Sequence, residues 1–300
     1  MNALLPLQHV PDENRTHPFD RISFRTIPNS PRISYYLYTP RPWSEGLRVL
    51  VSVHGISQNA AEHAMQLANL CQQQGLALVA PLFTRENFPG YQRLGLSRKR
   101  GRPRADLALD AVLDDVAALT GADTSRVLLF GYSGGGQFAH RYAMLHPQRV
   151  IRAALGAPGW YTFPDSTTPY PRGFQLTQIL PGAGDNPIDH LRVPMAVFVG
   201  EYDCHRDPGL NTAPPIDRQQ GFSRVDRGQR WIDAMRHAAA AAGLNTRYEF
   251  HLLEHSAHSF LDCMTNGNLG RRALEFLLDG IRPNTTQRTN PIRNWTPFIA

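Results

Sequence analysis

The stretch Gly131-Tyr132-Ser133-Gly134-Gly135 sets one serine among glycines, directly after the apolar run VLLF at 127–130. A flexible linker would need no hydrophobic lead-in. A phosphate-cradling loop would need a Lys after its last glycine, and here Gln137 follows. What remains is G-x-S-x-G, a turn that presents a serine at a sharp strand-to-helix junction, where the residues two before and two after must be small. The chemistry this permits is nucleophilic attack on an acyl carbon. A serine hydroxyl is a weak nucleophile, so it needs a base, and the base needs an orienting acid.

Both partners occur downstream, in the order Ser, Asp, His. The apolar run VPMAVFVG, 193–200, is followed by EYDCHRD, and TRYEFHLLEH, 246–255, is followed by SAHSF. Asp203 is the preferred acid, one short turn beyond a strand, with Glu201 and Asp207 as competitors. His258 is the preferred base, in the loop proper, whereas His255 reads as the end of the strand. His255 and His258 read instead as an H-x-x-H metal pair lack a suitably spaced third ligand, so no metal is expected. An oxyanion developing at the acyl carbon needs two backbone donors. Gly134, after the nucleophile, supplies one, and Ile56 in HGISQNA, after the run RVLVSVHG, supplies the other.

These groups need a scaffold that delivers them to one edge. Apolar runs at 48–55, 76–83, 127–132, 150–160 and 193–203, with a further strand candidate at 246–255, alternate with helical spacing at 60–75, 104–121, 135–146, 226–242 and 268–279. A half-exposed strand, ISYYLYT at 33–39, precedes them. Continuous apolar strands separated by helices specify an α/β fold with a mainly parallel sheet, covered by helices on both faces. Reactive groups then collect at the carboxyl ends of the strands. Residues 161–190 and 204–223 lack periodicity and read as long loops over that end. Within and beside them, Trp160, Tyr161 and Phe222 are candidate substrate contacts.

Taken together, HGISQNA, GYSGGGQFAHRYAMLHP, VGEYD and EHSAHSF resemble an α/β-hydrolase, and within that superfamily the chain is similar to bacterial esterases grouped with polyhydroxybutyrate depolymerases. The resemblance spans about residues 30–280 and leaves an N-terminal extension, 1–29, and a tail, 281–300. It implies an eight-stranded, mostly parallel sheet, a Ser133-Asp203-His258 triad, oxyanion amides at Ile56 and Gly134, and no cofactor. The expected reaction is cleavage of a small-molecule carboxylic ester through an acyl-enzyme. Amide, thioester or carbon–carbon bond hydrolysis with the same triad is the alternative.

Composition agrees with a folded protein: of 300 residues, 42% are hydrophobic and 19% charged. No apolar run reaches the roughly 20 residues that span a bilayer. The start, MNALLPLQHVP, lacks a basic n-region and is broken by Pro6, so it makes a poor secretory signal. Three cysteines without CxxC spacing point to a reducing, cytoplasmic setting, although Cys204 and Cys263 both follow strands of the site and could meet. RKRGRPR, 98–104, contains the RGRP core of a minor-groove DNA-binding hook. A noncatalytic, DNA-associated protein is therefore a different class of reading. The segment's place directly before an amphipathic helix favours a solvated loop or a rim attractive to anions.

Overall fold

A computed structural model describes residues 22–28, 32–95, 103–175 and 188–281. Its centre is one eight-stranded sheet in the order β1-β2-β4-β3-β5-β6-β7-β8. The strands are β1 (Ser23–Ile27), β2 (Ile33–Tyr38), β3 (Arg48–Val53), β4 (Ala77–Leu82), β5 (Asp123–Tyr132), β6 (Val150–Gly156), β7 (Met195–Gly200) and β8 (Tyr248–Leu253). Only β2 runs against the rest. It pairs antiparallel with β1 and β4, while β3 to β8 pair in parallel.

Burial explains which sequences became which strands. Tyr35 and Leu37 of β2 are fully buried and Tyr36 and Tyr38, on the opposite face, only partly, as alternation requires. In β7 every residue is buried, because helices cover both faces of a central parallel strand. Helices α1 (Ala60–Gln74) and α7 (Leu269–Leu278) lie side by side, with Gly270 against Leu70. Helices α3 (Gly134–Leu145) and α5 (Arg224–Ala241) form the other layer, joined through His140 and Trp231, whose rings lie 5.5 Å apart. Helix α2 (Ala105–Thr120) ends on Gly121 at φ 69°, a left-handed stop that glycine adopts without strain.

Three features, in β1, β5 and the loop 204–223, depart from the sequence reading. β1 falls inside the segment assigned to an N-terminal extension, so the sheet begins at Ser23. It is short and half-exposed, with Phe24 facing solvent, and carries too little pattern to be seen in the sequence. β5 starts at Asp123, four residues before its apolar run, because its exposed polar start still ladders onto β3. The loop 204–223 holds a helix, α4 (Pro214–Gln220). The candidate base is followed, as a helical start at Ser259 requires, by α6 (Phe260–Thr265), capped by Ser259. All three cysteines are free. Cys204 is exposed, whereas Cys263 is buried with its thiol 3.4 Å from the Ala257 carbonyl, so the two do not pair. Residues 98–102 of the basic segment and 176–187 of the first long loop lie outside the described residues.

Candidate active site

The turn after β5 is tight enough to exclude side chains. A Cβ on Gly131 would sit 2.2 Å from the Gly135 carbonyl oxygen, and one on Gly135 would sit 1.9 Å from that of Val53. Between them Ser133 is held at φ 53°, ψ −113°, a conformation that non-glycine residues occupy only when their surroundings enforce it. Its N–H donates to Gly156 O at 2.7 Å, which ties the turn to the end of β6.

The strands beside it deliver the partners. Ser133 Oγ lies 3.1 Å from His258 Nε2, and His258 Nδ1 lies 2.7 Å from Asp203 Oδ2. A carboxylate only accepts, so Nδ1 carries the proton and Nε2 is left to accept from the serine hydroxyl. Asp203 is fixed by its own N–H to Gly200 O at 2.9 Å, and the loops after β7 and β8 are clasped by Tyr202 N–H to Ser256 O at 3.0 Å. The Asp203 carboxyl is buried, while the imidazole keeps about a quarter of its surface open. The competitors are engaged elsewhere. Glu201 accepts the His255 N–H at 2.7 Å, His255 stands in solvent, and Asp207 binds Arg224.

Two further side chains complete the site, and neither stood out in the sequence. His54 Nε2 accepts the Phe83 N–H at 2.9 Å, so its Nδ1–H donates to Gly55 O at 2.6 Å. In a trans peptide the N–H points opposite to the C=O, so holding the Gly55 carbonyl aims the Ile56 N–H the other way. Gly134 adjoins it: a Cβ there would lie 3.0 Å from Ile56 Cγ2. As the first residue of α3, Gly134 has an amide without an intrahelical acceptor. Burial pushes the His54 pKa down to about 4, which keeps the ring neutral in this role. Arg224, at the start of α5, donates from Nη1 to Asp203 Oδ1 at 2.9 Å. HG is a visible dipeptide, but nothing in a sequence says which carboxylate an arginine 21 residues away will meet.

Solved structures provide the comparison. A poly(aspartic acid) hydrolase from Sphingomonas sp. KT-1 superposes with a TM-score of 0.73 at 23% identity, covering 85% of this chain and 98% of its own. A poly(3-hydroxybutyrate) depolymerase from Bordetella parapertussis gives 0.71 at 24%, covering 88% and 92%. An S-formylglutathione hydrolase from Agrobacterium tumefaciens gives 0.56 at 15%, covering 85% and 94%. No protein-family model and no curated protein matches the sequence. The chain has the α/β-hydrolase fold.

In this α/β-hydrolase fold a cavity of about 430 Å³ opens above Ser133 and His258, with Ile56, Phe260 and Leu261 as apolar walls and Gln137, Glu62 and Asn59 as polar ones. The expected substrate contacts need correcting. Tyr161 is fully buried and stacks on Trp231 at 4.9 Å. Trp160 is 8% exposed and lies under the Arg141 guanidinium. Phe222 is exposed, but beneath Arg206 and outside the cavity. The GWYTF segment turns back into the core, and an aromatic run in sequence looks the same whether it lines a pocket or fills one. The loop 204–223 does reach the cavity, through Asp207 and Gly209. Among the described residues no cluster of three metal-ligating side chains occurs, and no helix is long and apolar enough to cross a membrane. Arg104, the end of the basic segment, pairs with the buried Asp106.

Proposed function

We propose that this protein is a serine hydrolase that cleaves a carboxylic ester through an acyl-enzyme. The observation that carries this reading is the hydrogen-bonded line from Ser133 through His258 to a buried Asp203, opening into a cavity beside the Ile56 and Gly134 amides. His258 Nε2 takes the hydroxyl proton as Ser133 Oγ bonds to the carbonyl carbon. The carbonyl π electrons move onto oxygen, where the two amides stabilise the charge, each worth about 3 kcal/mol in the transition state. Collapse breaks the bond to the alcohol, and that oxygen takes the proton from His258. Water repeats the sequence on the acyl-enzyme and restores the serine.

The same residues would act on amide or thioester carbonyls, because the triad does not fix the bond. The cavity offers apolar walls to an acyl group and its leaving group, and the bond is assigned by the assay below. A small-molecule ester is the expected partner, and three free cysteines support a reducing, cytoplasmic setting. The DNA-associated reading has less support, since Arg104 is taken up by Asp106. Turnover of p-nitrophenyl esters, compared with matched anilides and thioesters in the wild type and Ser133→Ala, tests the proposal. Ester turnover lost in the variant is expected; turnover that persists in the purified variant removes Ser133 as the nucleophile.

A further inference from the structure

Arg224 stands behind the acid of the triad. It is the first residue of α5, capped by Ser223, and its side chain is only 2% exposed. Nη1 donates to Asp203 Oδ1 at 2.9 Å, the oxygen that His258 leaves unused. The guanidinium also grips Asp207 through Nη1 and, at 3.2 Å, through Nη2. Its buried Nε has no partner among the described residues.

A buried carboxylate oxygen needs a donor, and an arginine supplies one with a fixed fork. Yet a cation beside Asp203 cancels the charge that the imidazolium of His258 needs. Asp207, on the other side of the guanidinium, puts it back: two carboxylates and one guanidinium leave one negative unit behind the histidine. The Arg224 hydrogen bond holds the Asp207 carboxyl below its usual range. Burial works against the Arg224 charge, but its bonds and charges from Asp207 and Asp203 prevail and raise it.

Among the described residues, few other groups face His258. Tyr132 stacks on its ring at 5.6 Å, with Cys263 behind it, and Tyr161 lies near Asp203 and Arg224. Burial pushes both phenols well above their usual range and the Cys263 thiol to about 11, so all three stay neutral. Glu62, on α1, lines the same cavity and accepts from Asn59. Arg227, one turn along α5, is balanced by Asp217 at 2.7 Å.

We propose that Arg224 and Asp207 act as a charge-balanced positioning pair, which fixes Asp203 and holds one net negative charge behind His258, thereby setting the pH range in which the histidine is a free base. The consequence for turnover rests on the esterase reading, but the effect on the histidine itself does not.

The test follows the His258 imidazole by NMR through a pH series, with kcat/KM on a p-nitrophenyl ester measured alongside. Asp207→Asn leaves a neutral pair behind the ring, and the midpoint moves down by about one pH unit, with kcat reduced about tenfold. Arg224→Met leaves two carboxylates, and the midpoint moves up by a similar amount. The double variant has one negative charge again and returns to within about 0.3 unit of the wild type. Glu201→Gln, outside the network, leaves the midpoint in place. If Arg224→Met does not fold, Arg224→Lys replaces it: the retained charge holds the midpoint while loss of the fork lowers kcat. A folded Asp207→Asn protein with an unmoved midpoint overturns the proposal, as does a double variant shifted as far as either single one. Shifted midpoints in a protein that hydrolyses no ester would leave this inference standing and remove the esterase reading.

Discussion

Asp203 is sealed from solvent and touches both the base and a guanidinium, so changing its charge acts on each. Asp203→Asn keeps a hydrogen bond to His258 Nδ1 but favours the wrong tautomer, and kcat should fall about 10³- to 10⁴-fold with the fold intact. Glu201→Gln, which weakens a bond to the His255 backbone and a 3.6 Å pairing with that exposed ring, should stay within about twofold of the wild type. Steady-state kinetics on both variants decide between the two acids. His54→Leu removes the shorter of two hydrogen bonds on the Gly55 carbonyl, leaving that from Gln58 N–H at 3.1 Å, so the Ile56 amide is aimed less firmly. A kcat loss of about 100-fold with KM little changed is expected, read from the same assays. The order of Ser133, Asp203 and His258 was legible because the first two follow apolar runs that read as strands and the third follows a strand candidate, and the structure brings their side chains into one hydrogen-bonded line. His54 and Arg224 escaped it because their roles lie in which backbone carbonyl or carboxylate they meet, and only the fold decides that.

At the scale of elements, the elbow works because β5, α3 and the end of β3 pass within van der Waals contact. Gly135→Ala would drive a methyl into the Val53 carbonyl and should destabilise the protein by about 3 kcal/mol, lowering Tm by about 6–12 °C in a thermal melt. Selectivity belongs to the cavity walls at the start of α6 and after β3. Leu261→Ala and Ile56→Ala, both on partly exposed side chains, should change the ratio of kcat/KM between short and long acyl esters. Phe222→Ala should leave that ratio unchanged, since the ring lies under Arg206. The loop 204–223 lines the cavity through Asp207 and Gly209 and not through Phe222. Trp160 and Tyr161 could not be separated from core aromatics by sequence, because burial on the sheet side is a property of the chain's path and not of the residue types.

At the scale of the whole molecule, the fold buries several histidines as neutral rings. His54 titrates near 4, and burial holds His63 and His140 well below the usual imidazole range. As pH falls below about 6.5, the unfolded chain takes up protons that the folded chain refuses, so stability declines toward pH 4, by about 3 kcal/mol for His54 alone. Asp106 extends the decline. Burial raises its pKa, but bonds from Arg104 and His146 outweigh that and bring it to about 2, so its contribution is lost between about pH 4 and 2. Urea midpoints at pH 7, 6 and 5 should fall in that order, and equal midpoints would place these rings in contact with water. The alternation of strands and helices was plain in the sequence because fully buried parallel strands must be apolar throughout. The edge strand β1 was not, because an edge needs only half that pattern.

The central claim is that Ser133 is a nucleophile activated by His258. The most direct measurement is the mass of the intact protein after exposure to a fluorophosphonate, followed by peptide mapping. One adduct on Ser133 is predicted, formed at neutral pH, absent in Ser133→Ala and slowed at least about 100-fold in His258→Ala. An unlabelled wild type, an adduct on another residue, or labelling as fast without the histidine would contradict it.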